Sequence, residues 1–133
     1  VHSNVSVTAL YAAINVAFNV GLAVRTMLMR RRHGVSLGHV NKKGESKEVL
    51  VAMRTHANNI ETIMPALFLL LVCELEGGSD VILHVLGGSL FASRVLHAIG
   101  MPLRAPNFFR ATGISVTWLV IACECVYAVL LRS

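Results

Sequence analysis

The stretch Arg54-Thr55-His56-Ala57-Asn58-Asn59-Ile60-Glu61-Thr62-Ile63-Met64-Pro65 runs on into Ala66-Leu67-Phe68-Leu69-Leu70-Leu71-Val72-Cys73. The second half is apolar enough for a bilayer, whereas the first half carries an arginine, two asparagines and a glutamate. Arg54, Asn58 and Glu61 stand at i, i+4 and i+7, which is one face of a helix. Such groups are costly in hydrocarbon and turn toward a bundle interior or a wet cavity. That face is read as a polar ligand site on a membrane helix.

The rest of the chain agrees with a membrane setting. Its 133 residues read as one domain over residues 1–133. Hydrophobic residues make up 55% and charged residues 14%, against roughly a quarter charged in soluble domains. A soluble chain this short could not hide that much apolar surface. Val1 at the start is read as a processed chain or a piece of a longer one.

Four apolar spans can be drawn: Val5 to Met29, Lys47 to Leu75, Asp80 to Gly100, and Phe108 to Leu131. Each reaches the roughly 20 residues that cross the hydrocarbon core. Backbone groups in lipid must be satisfied internally, so the spans are helices. The expectation is an all-α, multi-pass integral membrane protein, a four-transmembrane-helix bundle. His33 to Ser46, with three glycines and two lysines, reads as a loop. Glu76 to Asp80 reads as a tight turn with Ser79 or Asp80 as the next N-cap. Pro102 to Asn107 stops one helix and restarts another, with Asn107 as N-cap. Pro65 is expected to kink the second span.

Charge sets the orientation. Arg30, Arg31, Arg32, Lys42, Lys43 and Lys47 surround the first loop, and Arg104 and Arg110 the third. Glu74, Glu76 and Asp80 surround the second. The first and third loops therefore face the cytoplasm or its equivalent. The net charge of +5 belongs to this topology. No aromatic-interleaved basic patch suggests nucleic acid. The same topology gathers Arg30, Arg54, Asn58, Glu61, Arg94, His97 and Arg110 in one leaflet. Arginines, an amide, an acid and an imidazole at one depth suit a small zwitterion with several carboxylates.

The motif Arg54-x-His56-x-Asn58-x-x-Glu61-x-x-x-Pro65, with Arg94-Val95-Leu96-His97, Leu103-Arg104-Ala105-Pro106 and Arg110, resembles the MAPEG superfamily, the membrane-associated proteins of eicosanoid and glutathione metabolism. The Glu-to-Pro spacing is most similar to the microsomal glutathione transferase and prostaglandin E synthase branch. The resemblance implies a homotrimer of four-helix bundles with glutathione bound between neighbouring subunits near the cytoplasmic side. It implies that Arg54, Asn58 and Glu61 hold glutathione, with Glu61 on its amino group, and that Arg94 and His97 support the same site. Arg110 matches the arginine that stabilises the thiolate. Arg30 matches the basic residue ending the first helix, with Arg25 the other candidate. The sequence departs from the family at Ala111, where prostaglandin E synthase has serine. It departs also at Met101 and Ile114, where pocket tyrosines stand, and at Ala57, which replaces a second arginine.

Two function classes follow. One is a membrane-bound glutathione-dependent transferase or peroxidase that acts on lipophilic electrophiles or lipid hydroperoxides drawn from the bilayer. The other is a non-catalytic scaffold, either lipid-binding or a structural subunit of a larger membrane complex. A plainer alternative for Arg54, Glu61 and Arg94 is an ion-pair network that only fixes packing. His56 reads as a structural histidine. His2, His33, His39 and His84 show no ligand spacing, and no metal site is expected. Cys73, Cys123 and Cys125 lie in apolar spans, with no disulfide or zinc site expected. The sequon Asn4-Val5-Ser6 lies too near a span to count. Gly87-Gly88 reads as a close-packing site.

Overall fold

The computed structural model describes residues 5–133, so Asn4 and His2 lie outside the described residues. It places four long helices in chain order: α1 (Ser6–His33), α2 (Lys47–Leu75), α3 (Asp80–Gly100) and α4 (Phe108–Arg132). All four are long and apolar enough to cross a membrane. The expected spans are present, with α1 running four residues past Met29. Arg30, Arg31, Arg32 and His33 fill its last turn, where cations oppose the negative end of the helix dipole. Gly34, at φ 62°, then ends the helix in the left-handed conformation, and the Val35 N–H returns to the Arg30 carbonyl at 2.9 Å.

The first loop is more ordered than the sequence suggests. β1 (Val40–Asn41) and β2 (Gly44–Glu45) form a short antiparallel hairpin. The Asn41 side chain caps its turn by accepting the Lys43 N–H at 2.7 Å. α2 is continuous through Pro65. That proline has no N–H to offer, so the Glu61 carbonyl is left without its helical donor. Ser79 takes the N-cap position of α3, but its hydroxyl makes no capping bond. Instead its N–H donates to the Tyr127 hydroxyl at 2.8 Å.

Both ends of the bundle are tied. At one end, Arg25 and Met29 of α1, Lys47 of α2 and Pro102 of the third loop line one cavity, so loops one and three share that end. At the other end, the Glu74 carboxylate accepts the Val7 N–H at 2.9 Å and the Thr8 N–H at 2.7 Å. These are orphan donors of the first turn of α1. Between the ends, Ile63, Ala66 and Leu70 of α2 pack with Leu83 and Leu90 of α3 and Val120 of α4.

Phe68, Trp118 and Val129 stay exposed on the outside, where lipid chains are their solvent. With lipid outside, helices associate through close packing and hydrogen bonds more than through water exclusion. Glycines supply the close packing. A Cβ on Gly87 would run into the Tyr11 ring, one on Gly100 into the Arg110 backbone, and one on Gly113 into His97. Gly88 has only an ordinary contact, so of the expected pair Gly87 alone is tight.

Candidate functional site

A cavity of about 410 Å³ opens between α2, the end of α3 and the start of α4. Arg54, Asn58 and Glu61 face it from α2, His97 from α3 and Arg110 from α4. Five of the residues singled out by sequence are thus brought together. Met101 and Ala57, two of the departures from the family pattern, line it too.

Local structure explains each placement. The i, i+4, i+7 spacing aims the α2 trio one way. Asn107 fixes Arg110: its Oδ1 accepts the Arg110 N–H at 2.9 Å, and its Nδ2 donates to the Gly100 carbonyl at 2.9 Å. One side chain therefore caps α4 and holds it to the end of α3. Gly100 lets the two backbones approach there, and Gly113 does the same for His97.

Arg94 does not line the cavity. It is buried behind it, 1% exposed. Its Nη2 donates to Asn58 Oδ1 at 2.8 Å and its Nε to Asn59 Oδ1 at 3.1 Å. Nη1 reaches Thr117 Oγ1 at 3.3 Å, and Nη2 lies 3.3 Å from His97 Nδ1. A buried guanidinium is tolerated when its donors are used in this way. Arg94 thereby holds two of the cavity-lining side chains, Asn58 and His97. The ion-pair alternative is not what the helices use. Among the described residues the one acid–base pair within 4 Å is His39 with Glu45 at 3.7 Å, in the first loop. Arg94 is held by neutral amides, an imidazole and a hydroxyl.

Arg30 is not brought to this group. It lines a different cavity, between α1 and α2, together with Met53 and His56. Arg30 projects from the end of α1, which packs on a different side of α2 from α3 and α4, and helical spacing within α2 could not reveal that. The cavity of Arg30 meets that of the site at Ala57, and the cavity of Arg25 meets it at Val51. His56, read as structural, lies 3.4 Å from the Asn19 amide.

Asn59, Asn19 and Thr117 are the contributors that the sequence reading missed. Asn59 Nδ2 donates to Asn19 Oδ1 at 3.0 Å, which extends the Arg94 network to α1. The available signal was the amide at Asn19 inside an otherwise apolar span, since intramembrane polar groups seek one another. Glu124, also passed over, is fully buried toward the other end of α4, far along the helix from Arg110. Beside it the Cys73 thiol donates to the Glu124 carbonyl at 3.6 Å.

The outer wall of the site is apolar. A second cavity of about 440 Å³, lined by Ala105, Pro106, Ala111 and Ile114, shares Arg110 with the first. An anion held in the polar cavity would therefore stand next to a greasy one, with one guanidinium common to both.

Comparison with known proteins gives the same family as the motif. The family model described as MAPEG family matches residues 8–130. The chain is similar to the inner membrane protein YecN of Escherichia coli K12, 30% identical over 112 residues, which cover 84% of this chain and 82% of YecN. YecN of Escherichia coli O6:H1 strain CFT073 matches to the same extent.

Proposed function

The chain belongs to the MAPEG family, and from that premise we propose that it is a membrane-bound glutathione-dependent transferase or peroxidase. Membership by itself suggests a membrane-associated, glutathione-related role. The observation that carries the finer reading is the convergence of Arg54, Asn58, Glu61, His97 and Arg110 on one cavity. Glutathione offers two carboxylates, one ammonium, two amides and a thiol. Glu61 is the acid among those five and suits the ammonium. The arginines suit the carboxylates and the sulfur, and Asn58, held by Arg94, suits a peptide amide.

Arg110 is the group that acts on the reacting atom. Glutathione's thiol is mostly protonated at neutral pH, and the thiolate is the nucleophile. A guanidinium in a poorly hydrated site favours the anion. The first turn of α4 adds the positive end of its helix dipole. The thiol proton leaves to solvent, and the sulfur forms a bond to an electrophilic carbon held in the apolar cavity at Ala111 and Ile114. In a displacement the leaving group departs from that carbon with its bonding pair. In an addition to an activated alkene the π pair moves to the neighbouring carbon, which takes a proton from solvent. With a hydroperoxide, sulfur attacks the outer oxygen, and a second glutathione completes the reduction to alcohol, water and disulfide.

A homotrimer completes this reading. Arg54 and Glu61 are exposed on the single chain. Glu61 lies about 21 Å along the helix from Lys47 at 1.5 Å per residue, deep within a core about 30 Å thick. A charge open to lipid at that depth is costly, and neighbouring subunits are the shelter that a four-helix chain lacks.

The test is an ultraviolet titration with glutathione in detergent at neutral pH. Wild type develops thiolate absorbance. Arg110→Ala loses it, and its conjugation rate falls by roughly 10²-fold, the size of losing one preorganised anion-stabilising donor. Much of the binding remains, carried by α2. Wild type that binds no glutathione, or Arg110→Ala that turns over a model electrophile at the wild-type rate, overturns the proposal.

A further inference from the structure

Glutathione is charged at both ends and does not reach its cavity through hydrocarbon, so the site described above needs an aqueous way in. One is present at the end that carries the first and third loops. A cavity of about 400 Å³ lies there, lined by Arg25 and Met29 of α1, Lys47, Glu48 and Val51 of α2, and Pro102 of the third loop. Lys47, Glu48 and Pro102 are exposed, so one end of this cavity meets water. Val51 belongs also to the wall of the site cavity, so the other end meets the site.

The α2 face has the same continuity. Lys47, Val51, Arg54, Asn58 and Glu61 stand at i, i+4, i+7, i+11 and i+14 of one helix, which is a single stripe. The face that carries the site thus runs up to the first turn of α2, with a lysine at its aqueous end and Glu61 at its inner end.

Arg25 stands on the other wall. It precedes the end of α1 at His33 by about 12 Å at 1.5 Å per residue, and so lies within the apolar span. Among the described residues no acid comes within 4 Å of it. Charged side chains inside a membrane protein mark substrate and ion pathways. Arg94 is the contrast, since three side chains take its nitrogens and it serves the fold. Glu48 is the acid of the wall, and its carboxylate accepts the Ser46 hydroxyl at 3.3 Å rather than pairing with Arg25. Two cations against one acid give the passage a positive field, the sign that draws a net anion such as glutathione.

We propose that this cavity is the entrance for glutathione, in which Lys47 and Arg25 draw its carboxylates along the α2 stripe toward Arg54. This role rests on the glutathione reading above. It concerns how fast glutathione arrives, whereas Arg54, Asn58 and Glu61 decide how tightly it is held.

The full chain in nanodiscs of zwitterionic lipid is mixed with glutathione in a stopped-flow instrument, and the rise of thiolate absorbance is followed at several concentrations to separate association from dissociation. Arg25→Gln and Lys47→Gln each slow association, Arg25→Gln by roughly tenfold, the lower end of what a focused field contributes. Dissociation changes by less than about twofold, as for a charge that steers without holding. Arg25→Lys restores the wild-type rate, and high salt brings wild type down toward Arg25→Gln. Arg104→Gln, at an exposed cation of the same end outside the cavity wall, leaves both rates unchanged. Met29→Trp narrows the passage and slows arrival and departure by one factor, so Kd is retained. Faster dissociation with unchanged association in Arg25→Gln makes Arg25 a holding group and overturns the proposal. So does a Met29→Trp protein with both wild-type rates, or an effect of Arg104→Gln as large as that of Arg25→Gln. Those results leave the glutathione site standing; a wild type that gives no glutathione signal removes the site and its entrance together.

Discussion

Gly113→Ala should separate binding from chemistry. A Cβ at this position would sit 2.5 Å from the His97 nitrogen, 2.7 Å from its Cβ and 2.8 Å from its Cα. The nearest contacts are backbone, which cannot swing aside as the tip of a side chain would. Restoring ordinary contact near 3.4 Å requires α3 and α4 to part by about 1 Å at this point, in a core packed at crystal-like density. Overpacking of this kind costs roughly 1–3 kcal/mol, measurable as a shift in the midpoint of unfolding by an anionic detergent. The same displacement moves His97 relative to Arg110, and a misplacement of about 1 Å can reduce a rate by ~10²-fold. Arg54, Asn58 and Glu61 all stand on α2 and are not displaced. Glutathione binding by calorimetry should therefore fall little while the conjugation rate falls by that factor. Gly88→Ala is the control, since its Cβ would meet only the Tyr11 hydroxyl at 3.5 Å, and it should stay within about 0.5 kcal/mol of wild type. A folded Gly113→Ala protein with wild-type stability and wild-type turnover would refute the claim that this helix contact sets the site.

Arg94→Met keeps bulk but removes every donor to Asn58, Asn59 and Thr117. At about 0.6–1.7 kcal/mol per interhelical bond in a membrane, the loss of three bonds should be roughly 2–5 kcal/mol in the same unfolding assay. Glu61→Gln should weaken glutathione binding, yet leave the thiolate absorbance of whatever is bound at saturation; an unchanged Kd would take Glu61 out of the site. Glu74→Ala strips the acceptor from the Val7 and Thr8 N–H groups and should destabilise by about 1–2 kcal/mol, the size of a lost helix cap. Cysteines placed at Lys43 and Arg104, with Cys73, Cys123 and Cys125 replaced, should label from the same face of the membrane; labelling from opposite faces would refute the shared end of loops one and three.

The helix boundaries were legible because the chain marks them physically. Asn107 caps α4 as its type and position suggest, and the Gly77-Gly78 pair closes the turn between α2 and α3. The apolar span of α1 stops at Met29 while the helix runs on to His33, because the three arginines between them are welcome at a helix C-terminus. The α2 face of the site was legible from spacing alone, since one helix fixes the relative directions of its own residues. Which face of a neighbouring helix meets it is a property of two helices. That is why Arg94 turned out to stand behind the cavity, why Asn59 was passed over, and why Arg30 lies on another side of α2. Gly113 and Gly100, which bring His97 and Arg110 close, carry no side chain to announce themselves.

The guanidinium of Arg94 has no lone pair, and this makes the surrounding chain of amides directional. Asn59 Oδ1 must accept from it, which leaves Asn59 Nδ2 to donate to Asn19 Oδ1. Asn19 then has only its Nδ2 to turn toward His56, so His56 Nε2 must be an acceptor and that ring carries its proton on Nδ1. The opposite assignment holds at His97, where Nδ1 faces the Arg94 Nη2 and the proton sits on Nε2. One arginine thus dictates opposite tautomers to two histidines on different helices. Nitrogen chemical shifts of the two rings, measured in lipid, should read as mirror images, and replacing Arg94 should release both.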